Sequence, residues 1–286
     1  MKYLFRNPTF SISIIFLILL IVVAFLAPFI LRFNFEQQDF TQILKSPDSI
    51  HWLGTDSLGR DMFARLIYGA RVSLLVGLVT SFAALIIGTI YGIISGYCGK
   101  TIDLLMMRFI DLFQSLPEIV LMILFTVIFN SISIAGISSG FKTLLGICIA
   151  LSILNWVGIA RIVRGNVLRL KEMEFVDAAR TLGSHPWQIT LRHLLPNMSG
   201  PILVALTYTI PTNILYESFL SFIGLGLQPP YASWGVLSSE GWRTIRSYPH
   251  LIISPALALI LTTLAFNLIG DKLREFLDPR FKGLNV

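Results

Sequence analysis

Few residues of this sequence have the types and spacing that catalysis requires. His185 and His193 lie eight positions apart and could each bind a metal ion, but no cysteine lies near them and the pattern H-E-x-x-H is absent. The stretch Gly136–Gly140 (GISSG) matches G-x-S-x-G, but it lacks the strand–turn–helix setting of a serine nucleophile. No G-x-x-x-x-G-K-[ST] loop is present to bind a nucleotide phosphate. The sequence therefore favours capping and packing roles for both histidines.

The best organised polar stretch is EFVDAARTLGSHPWQITLRHLLPN, residues 174–197. Its first half predicts a short helix, because four side chains recur at i, i+3, i+4 and i+7 and form one stripe. Glu174 and Asp177 stand in the first turns, where the helix dipole favours acids. The stripe consists of Phe175, Ala178, Ala179 and Leu182.

A turn and a second short helix are predicted to follow. Gly183 stands where helices commonly end in a left-handed residue. Ser184 is a candidate N-cap for the second helix, with Pro186 in its first turn, and this helix is expected to stop before Pro196. The paired alanines leave a flat surface that another protein could approach. An amphipathic helix that lies on lipid headgroups would have the same pattern, so both interpretations stay open.

The composition indicates that a membrane surrounds these elements. The chain has 286 residues, of which 55% are hydrophobic and only 13% are charged. Soluble domains contain about 25% charged residues, so lipid must cover much of this surface. The net charge of +6 could reflect basic cytoplasmic loops or a nucleic-acid-binding surface, and the high hydropathy argues against nucleic acid.

Six uncharged runs are long enough to supply membrane-spanning helices, which need about 20 apolar residues each. We therefore predict an all-α polytopic membrane protein with six transmembrane helices. The first run is predicted to be an uncleaved anchor, because it is too long for a signal peptide and no A-x-A-like site closes it. The runs are Phe10–Leu31, Val72–Gly99, Ile119–Phe141, Thr143–Ala160, Asn197–Tyr216 and Leu251–Gly270.

Positive charge predicts the orientation of these spans. Most of the 22 Lys and Arg residues fall at the two termini and in the segments after the second and fourth runs. Cytoplasmic segments carry this excess, so both termini and the 174–197 stretch are predicted to be cytoplasmic.

Several motifs resemble one family. The pattern E-F-V-x-A-A-x-x-x-G-x-x-x-x-x-I, followed by H-x-L-P-N, is similar to the cytoplasmic EAA loop of permease subunits of ATP-binding-cassette (ABC) importers. Three other stretches resemble the dipeptide, oligopeptide and nickel branch of that family, and the length matches its shorter, C-type permease. They are His51–Leu74, Ser218–Gly235 and Phe266–Arg280.

This resemblance implies a multi-subunit importer in a bacterial cell membrane. The chain would pair with a second permease subunit and meet an extracytoplasmic substrate-binding protein outside. Two ATPase subunits would dock inside, one of them on the EAA loop of this chain. No cofactor is expected in this chain, since ATP and Mg²⁺ would bind to the ATPase subunits, and no nucleic acid is expected as a partner. The implied docking residues are Glu174, Phe175, Asp177, Ala178, Ala179, Leu182, Gly183 and Ser184.

Three residues are candidates for an outer gate or a contact with the binding protein. Arg65 belongs to the outer segment, and Trp234 belongs to an outer loop whose Gly, Pro, Trp and Tyr content suits a packed interfacial loop. Glu217 stands beside the end of a predicted span, at a position that we place at the outer interface. Ionisable residues at membrane depth are functional candidates by default.

The expected domains follow from the runs and the resemblance. The permease core contains five helices, a coupling loop at 161–197 between spans four and five, and an outer loop at 224–250. The full order is an anchor helix at 1–32, an outer segment at 33–69, the core at 70–275 and a cytoplasmic tail at 276–286.

The predicted function is that of a non-catalytic permease subunit which forms half of a path for di- or oligopeptides. An importer of nickel or a metal chelate is the nearest alternative, because that branch shares the motifs. A proton-coupled secondary transporter would need acids or histidines within spans, and the six runs contain none. An intramembrane protease would need a nucleophile–base pair or paired aspartates there, which are also absent.

Overall fold

Ten α-helices form most of this computed structural model, which describes residues 7–132, 136 and 138–277, without the side chains at 27, 28 and 30. A 3₁₀ turn, Phe40–Gln42, and a π-helical turn, Thr190–Leu194, accompany them, and the described residues contain no strand. The helices are α1 (Pro8–Ile30), α2 (Met62–Cys98), α3 (Lys100–Gln114), α4 (Glu118–Ser131), α5 (Ser139–Leu170), α6 (Glu174–Thr181), α7 (Pro186–Ile189), α8 (Leu195–Phe222), α9 (Trp234–Arg243) and α10 (His250–Leu277).

Helix α2 connects the two ends of the molecule. Its 37 residues extend about 55 Å, well beyond the ~30 Å hydrocarbon core of a bilayer. Asp61 caps its first turn by accepting a hydrogen bond from the Ala64 N–H at 2.7 Å. The helix begins ten residues before the predicted run Val72–Gly99 and crosses the predicted domain boundary at residue 70 without a break.

Glycines allow α2 and α5 to pack closely. Gly88, Gly92 and Gly96 recur every four residues and form one stripe on α2. A Cβ at Gly88 would lie 2.6 Å from the Trp156 carbonyl oxygen, and a Cβ at Gly92 would lie 2.5 Å from that of Ala160. Because lipid gives no hydrophobic drive to helix pairing, such close packing is a main source of stability between membrane helices.

Four of the described helices are long and apolar enough to span a membrane: α1, α2, α5 and α10. A fifth span results if α3 and α4 are taken together, although they bend by 83° at their junction. Helix α8 contains the predicted run Asn197–Tyr216 and has 28 residues, but it is not among the four. The chain is therefore an all-helical protein with four to five apolar candidate spans, and the predicted count of six remains a prediction.

The predicted run Ile119–Phe141 contributes a helix that is shorter than the run itself. Helix α4 ends at Ser131 after 14 residues, about 21 Å, and residues 133–135 and 137 lie outside the described part. Pro117 explains the break before α4, since proline lacks an N–H and disfavours a helical conformation in the residue before it. The charged ends at 1–6 and 278–286 also lie outside the described residues, so the predicted orientation remains a prediction.

Candidate functional site

Helix α6 and the turn after it form as the sequence predicts. The helix spans Glu174–Thr181, and Gly183 has φ +80°, in the left-handed region. The Gly183 N–H donates to the Arg180 carbonyl at 2.9 Å, and the Ser184 N–H donates to the Ala179 carbonyl at 3.0 Å. These two bonds form a Schellman motif, which satisfies the last carbonyls of the helix and fixes the chain direction after it.

The faces of α6 differ from the predicted stripe. Val176 and Ala179 are buried in the core of the chain, together with Ile189 and Leu194. Ala178 is exposed on the other side, beside Glu174 and Asp177. The prediction that Ala178 and Ala179 share one outward surface is therefore wrong, because adjacent helical residues lie about 100° apart and the core takes the second of the pair.

Large apolar side chains remain exposed around this helix. Leu182 is 86% exposed, Trp187 is 64% exposed and Phe175 is 37% exposed. They lie within an otherwise polar segment, where an exposed Arg180–Asp177 ion pair of 3.0 Å joins two of the charged groups. An apolar patch with a polar rim is typical of a surface that meets a protein or a membrane.

The second helix of the segment differs from the prediction at both ends. His185, not Ser184, is the N-cap of α7: its Nδ1 accepts from the Trp187 N–H at 3.4 Å, and its own N–H donates to Gln188 Oε1 at 3.1 Å. The chain also does not stop before Pro196. It continues through the π turn directly into α8, so Pro196 lies inside a continuous helical segment, where its missing N–H removes one backbone hydrogen bond.

Ion pairs tie the core helices together beside this segment. Arg164 of α5 donates to both oxygens of Asp103 on α3, at 2.5 and 2.6 Å. Asp111 of α3 pairs with Arg161 of α5 at 2.8 Å. Lys171 Nζ donates to the Gly96 carbonyl at the end of α2, at 3.0 Å. We call residues 171–195 the coupling segment.

The opposite end of α2 holds a buried ionic network, which we call the Asp56 network. Asp56 accepts from Arg60 Nε at 2.6 Å and from Arg65 Nη1 at 2.5 Å. Both arginines also pair with Glu240 of α9, Arg60 at 3.1 Å. Arg60 and Arg65 are 1% and 0% exposed. The network therefore joins the segment before α2 to α9 with two positive and two negative charges.

Further hydrogen bonds order the segment around this network. His51 Nδ1 lies 2.8 Å from Asp61, the N-cap of α2, and both residues are buried. The His51 backbone N–H and the Lys45 ammonium lie 2.6 Å from Asp48 and hold the pKa of that carboxyl below its usual value. Hydrogen bonds from Thr41 lower the pKa of Asp39 in the same way. Both carboxyls are therefore charged at neutral pH.

The three predicted outer-gate residues are all fully buried. Arg65, Glu217 and Trp234 are each 0% exposed, and the placement of Glu217 at the outer interface remains a prediction. The structure brings two of them together through Ser73, whose hydroxyl donates to Glu217 at 2.9 Å and accepts from the Trp234 N–H at 3.3 Å. No direct contact with a partner is open to these side chains in this packing, and their role in a gate remains a prediction.

Comparison with known proteins identifies the family. Residues 88–283 match the model of the family described as binding-protein-dependent transport system inner membrane component. The chain belongs to this family. Residues 1–47 match a second model, the N-terminal transmembrane domain of oligopeptide transport permease C. This permease is therefore a multi-pass component of the bacterial cell membrane.

Curated relatives extend the match to nearly the whole permease. It is 41% identical over 278 residues to the dipeptide transport system permease protein DppC of Bacillus subtilis, covering 97% of this chain and 83% of the relative. It is 42% identical to the oligopeptide permease protein OppC of Haemophilus influenzae, covering 96% and 86%. A glutathione transport system permease protein, GsiD of Escherichia coli, is 41% identical, covering 94% and 86%.

A solved structure supports the same fold. The permease superposes on a chain of the MetNI methionine ABC transporter, described as inward facing, with a TM-score of 0.59 and 21% identity. The match covers 76% of this permease and 98% of the other chain.

The Asp56 network is what the sequence analysis of this permease missed. Of its four members only Arg65 was singled out, as a candidate for an outer gate or a contact with the binding protein. The signal was present in DSLGRDMFAR (residues 56–65), where four charged residues lie in ten positions beside apolar neighbours. Glu240 could not be found this way, because it lies 175 residues from Arg65.

Proposed function

We propose that this permease forms half of the translocation path of an ATP-driven importer of peptides. The observation that carries the proposal is the match of about 40% identity along 94–97% of the chain to permeases named for dipeptides, oligopeptides and glutathione. Glutathione is itself a small peptide, so these relatives share one chemical class of cargo. The second half of the path would come from a homologous permease subunit.

The coupling segment is the proposed contact with the ATPase subunits. Its exposed residues Glu174, Phe175, Asp177, Ala178 and Leu182 offer an apolar patch with acids at its edge, and Gly183 and Ser184 fix the turn behind it. Ala179 would support this surface from inside. ATP and Mg²⁺ would bind to the ATPase subunits, and this chain would transmit their movement rather than hydrolyse ATP.

The proposed topology follows the distribution of positive charge. Six spans would place both termini and the coupling segment in the cytoplasm, with α8 as a span shielded by α2, α9 and α10. The Asp56 network would then face the side on which a substrate-binding protein docks. The proposed regions remain 1–32, 33–69, 70–275 and 276–286.

Cysteines placed at the exposed positions Ser49 and Thr181 test this topology. Ser49→Cys should react with an impermeant thiol reagent in intact cells, and Thr181→Cys only after permeabilisation; reversed labelling would overturn it.

Reconstituted transport tests the function. The tagged chain, purified from its own bacterium in mild detergent, should bring with it a second permease and two ATPase subunits. Proteoliposomes of that complex, supplied with the binding protein and internal ATP, should accumulate dipeptides or oligopeptides. Vanadate should stop uptake and a protonophore should not.

The alternatives give opposite results in the same assay. Nickel uptake without peptide uptake would show that the cargo is a metal and not a peptide. Uptake that a protonophore stops and vanadate leaves intact would reject the ATP-driven mechanism.

A further inference from the structure

A polar cavity lies between the α3–α4 bend, α5 and α8. It has a volume of about 590 Å³, within the range of small-molecule sites, which is ~300–1,000 Å³. Polar side chains from all three regions line it, along with apolar residues such as Phe113 and Leu121. The polar members are Gln114, Glu118, Asn155, Thr212 and Tyr216.

The cavity lies at the level of the middle of helix α2, which is one of the candidate membrane spans. Asn155 donates to Asn213 at 2.6 Å, and Asn213 donates to Ser81 at 2.8 Å. Ser81 is close to the midpoint of the 37-residue helix α2. Polar groups and bent backbone at this depth cannot face lipid, so they must face protein or a water-filled path.

Glu118 is the charged group of this cavity. It is exposed within the isolated chain, and its carboxylate accepts a hydrogen bond from the Tyr216 hydroxyl at 3.0 Å. In the described part of the chain it forms no ion pair, and no Lys, Arg or His lines the cavity with it. Ionisable residues at membrane depth are rare and typically mark substrate or ion pathways.

The free acceptor atoms suit an ammonium group. The Tyr216 hydroxyl donates to Oε2 of Glu118, so Oε1 can accept a hydrogen bond from a ligand. Asn155 donates to Asn213 through its amide N–H, so its carbonyl oxygen can also accept one. An ammonium has three N–H donors and one positive charge, which match these acceptors and the carboxylate. A single carboxylate also binds weakly enough for release, which conduction requires.

We propose that this cavity receives the amino-terminal ammonium of a peptide as the peptide passes through the permease. Glu118 supplies the opposite charge, and Tyr216 holds the carboxylate in position. This inference rests on the proposed function, because it needs a peptide as cargo. A divalent metal ion is the less suitable cation here, since no group of three or more His, Cys, Asp or Glu side chains in the described part of the chain could hold one.

Cysteine labelling tests the charge of the cavity without any transport. Gly158 lines the cavity, and a Cβ there would meet no atom within 4 Å. Gly158→Cys is made in a chain in which Cys98 and Cys148, the two natural cysteines, are replaced by serine and alanine. Rates are measured in the purified complex with ethylammonium and ethylsulfonate methanethiosulfonates.

The cationic reagent should react faster, because a charged cleft concentrates the opposite charge by about tenfold or more. Glu118→Gln should lower the cationic-to-anionic rate ratio about tenfold, and Glu118→Asp should preserve most of it. Glu36→Gln removes an exposed acid outside the cavity and should leave the ratio unchanged. An unchanged ratio in Glu118→Gln would overturn the proposal.

Protection by peptide tests the ligand. Trialanine should slow labelling of Gly158→Cys, N-acetyl-trialanine should protect at least about tenfold less well, and Glu118→Gln should remove the difference. Equal protection by both peptides, or protection by neither, would overturn the ammonium assignment. Peptide uptake by the parent complex is measured separately, so failure of the proposed function is distinguishable from failure of this site.

Discussion

The two ends of helix α2 differ in how they place their charged side chains. At the Asp56 network two arginines and an aspartate are almost fully buried and pair with one another and with Glu240. At the coupling segment, roughly 45 Å away along the helix, acids are exposed and so are Leu182 and Trp187. The charged groups of the Asp56 network are thus buried inside the chain. At the coupling segment the acids are exposed, beside apolar side chains that a partner could cover.

Because of this difference, substitutions at the Asp56 network should affect the stability of the chain, whereas substitutions at the coupling segment should affect its association with a partner. Breaking a buried ion pair leaves the other charge unpaired in a poorly hydrated site, which destabilises the chain itself. Removing an exposed apolar side chain changes little within the chain and acts on whatever covers that side chain. Variants at the two ends should therefore fail in different assays.

The largest effect is expected at the Asp56 network. Arg65→Ala leaves Asp56 and Glu240 without one of their partners and should lower the free energy of unfolding by about 3–5 kcal/mol. Thermal unfolding of the detergent-purified chain measures this change. Arg246→Ala, which removes an exposed arginine from the same end, is the matched control and should have little effect. An Arg65→Ala chain as stable as the control would show that the network contributes nothing.

The adjacent alanines of α6 give the sharpest test of the two behaviours. Ala179→Asp places an unpaired charge against the core and should destabilise the chain by about 3 kcal/mol. Ala178→Asp adds the same charge to an exposed position, so it should leave the unfolding temperature unchanged and weaken capture of the ATPase subunits. Equal unfolding temperatures for the two variants would contradict the buried position of Ala179.

A smaller loss is expected between the two ends, where α2 packs on α5. Gly92→Ala forces a Cβ towards the Ala160 carbonyl and should cost about 1–2 kcal/mol of stability. Gly158→Ala is the control on the facing helix, because open space surrounds its Cβ. In the same unfolding measurement, Gly92→Ala should be less stable than Gly158→Ala. The reverse order would contradict the close packing of α2 on α5.

The smallest effect on stability is expected at Leu182. Leu182→Ser should change the free energy of unfolding by less than about 0.5 kcal/mol, because the side chain is 86% exposed. If the ATPase subunit covers it, affinity should fall about tenfold, which corresponds to ~1.4 kcal/mol. Titration of the purified permease with the ATPase subunit measures this. Loss of stability without loss of affinity would assign Leu182 to the fold instead.

Local chemistry made parts of this structure predictable. Helix α6 and the left-handed Gly183 follow from a pattern of a few neighbouring residues, whereas the N-cap of α7 was placed one residue early, at Ser184 instead of His185. The choice of which alanine faces inward was not predictable, because it depends on Ile189, Leu194 and the rest of the core. The same limit applies to Glu217 and Asp111, whose partners Ser73 and Arg161 are 144 and 50 residues away.

The direct junction of α7 with α8 has a mechanical consequence. With no loop between them, α7, the π turn Thr190–Leu194 and α8 form one helical segment, in which three prolines, Pro196, Pro201 and Pro211, each remove a backbone hydrogen bond. The α8 part is about 42 Å long, so a tilt of about 5° imposed at α7 and not absorbed at these prolines would displace its far end, near Phe222, by about 4 Å. Helix α6 has no such lever arm, because a turn at Gly183 separates it from this segment. A force applied to the coupling segment would therefore reach the far end of α8 chiefly through Trp187 and its neighbours.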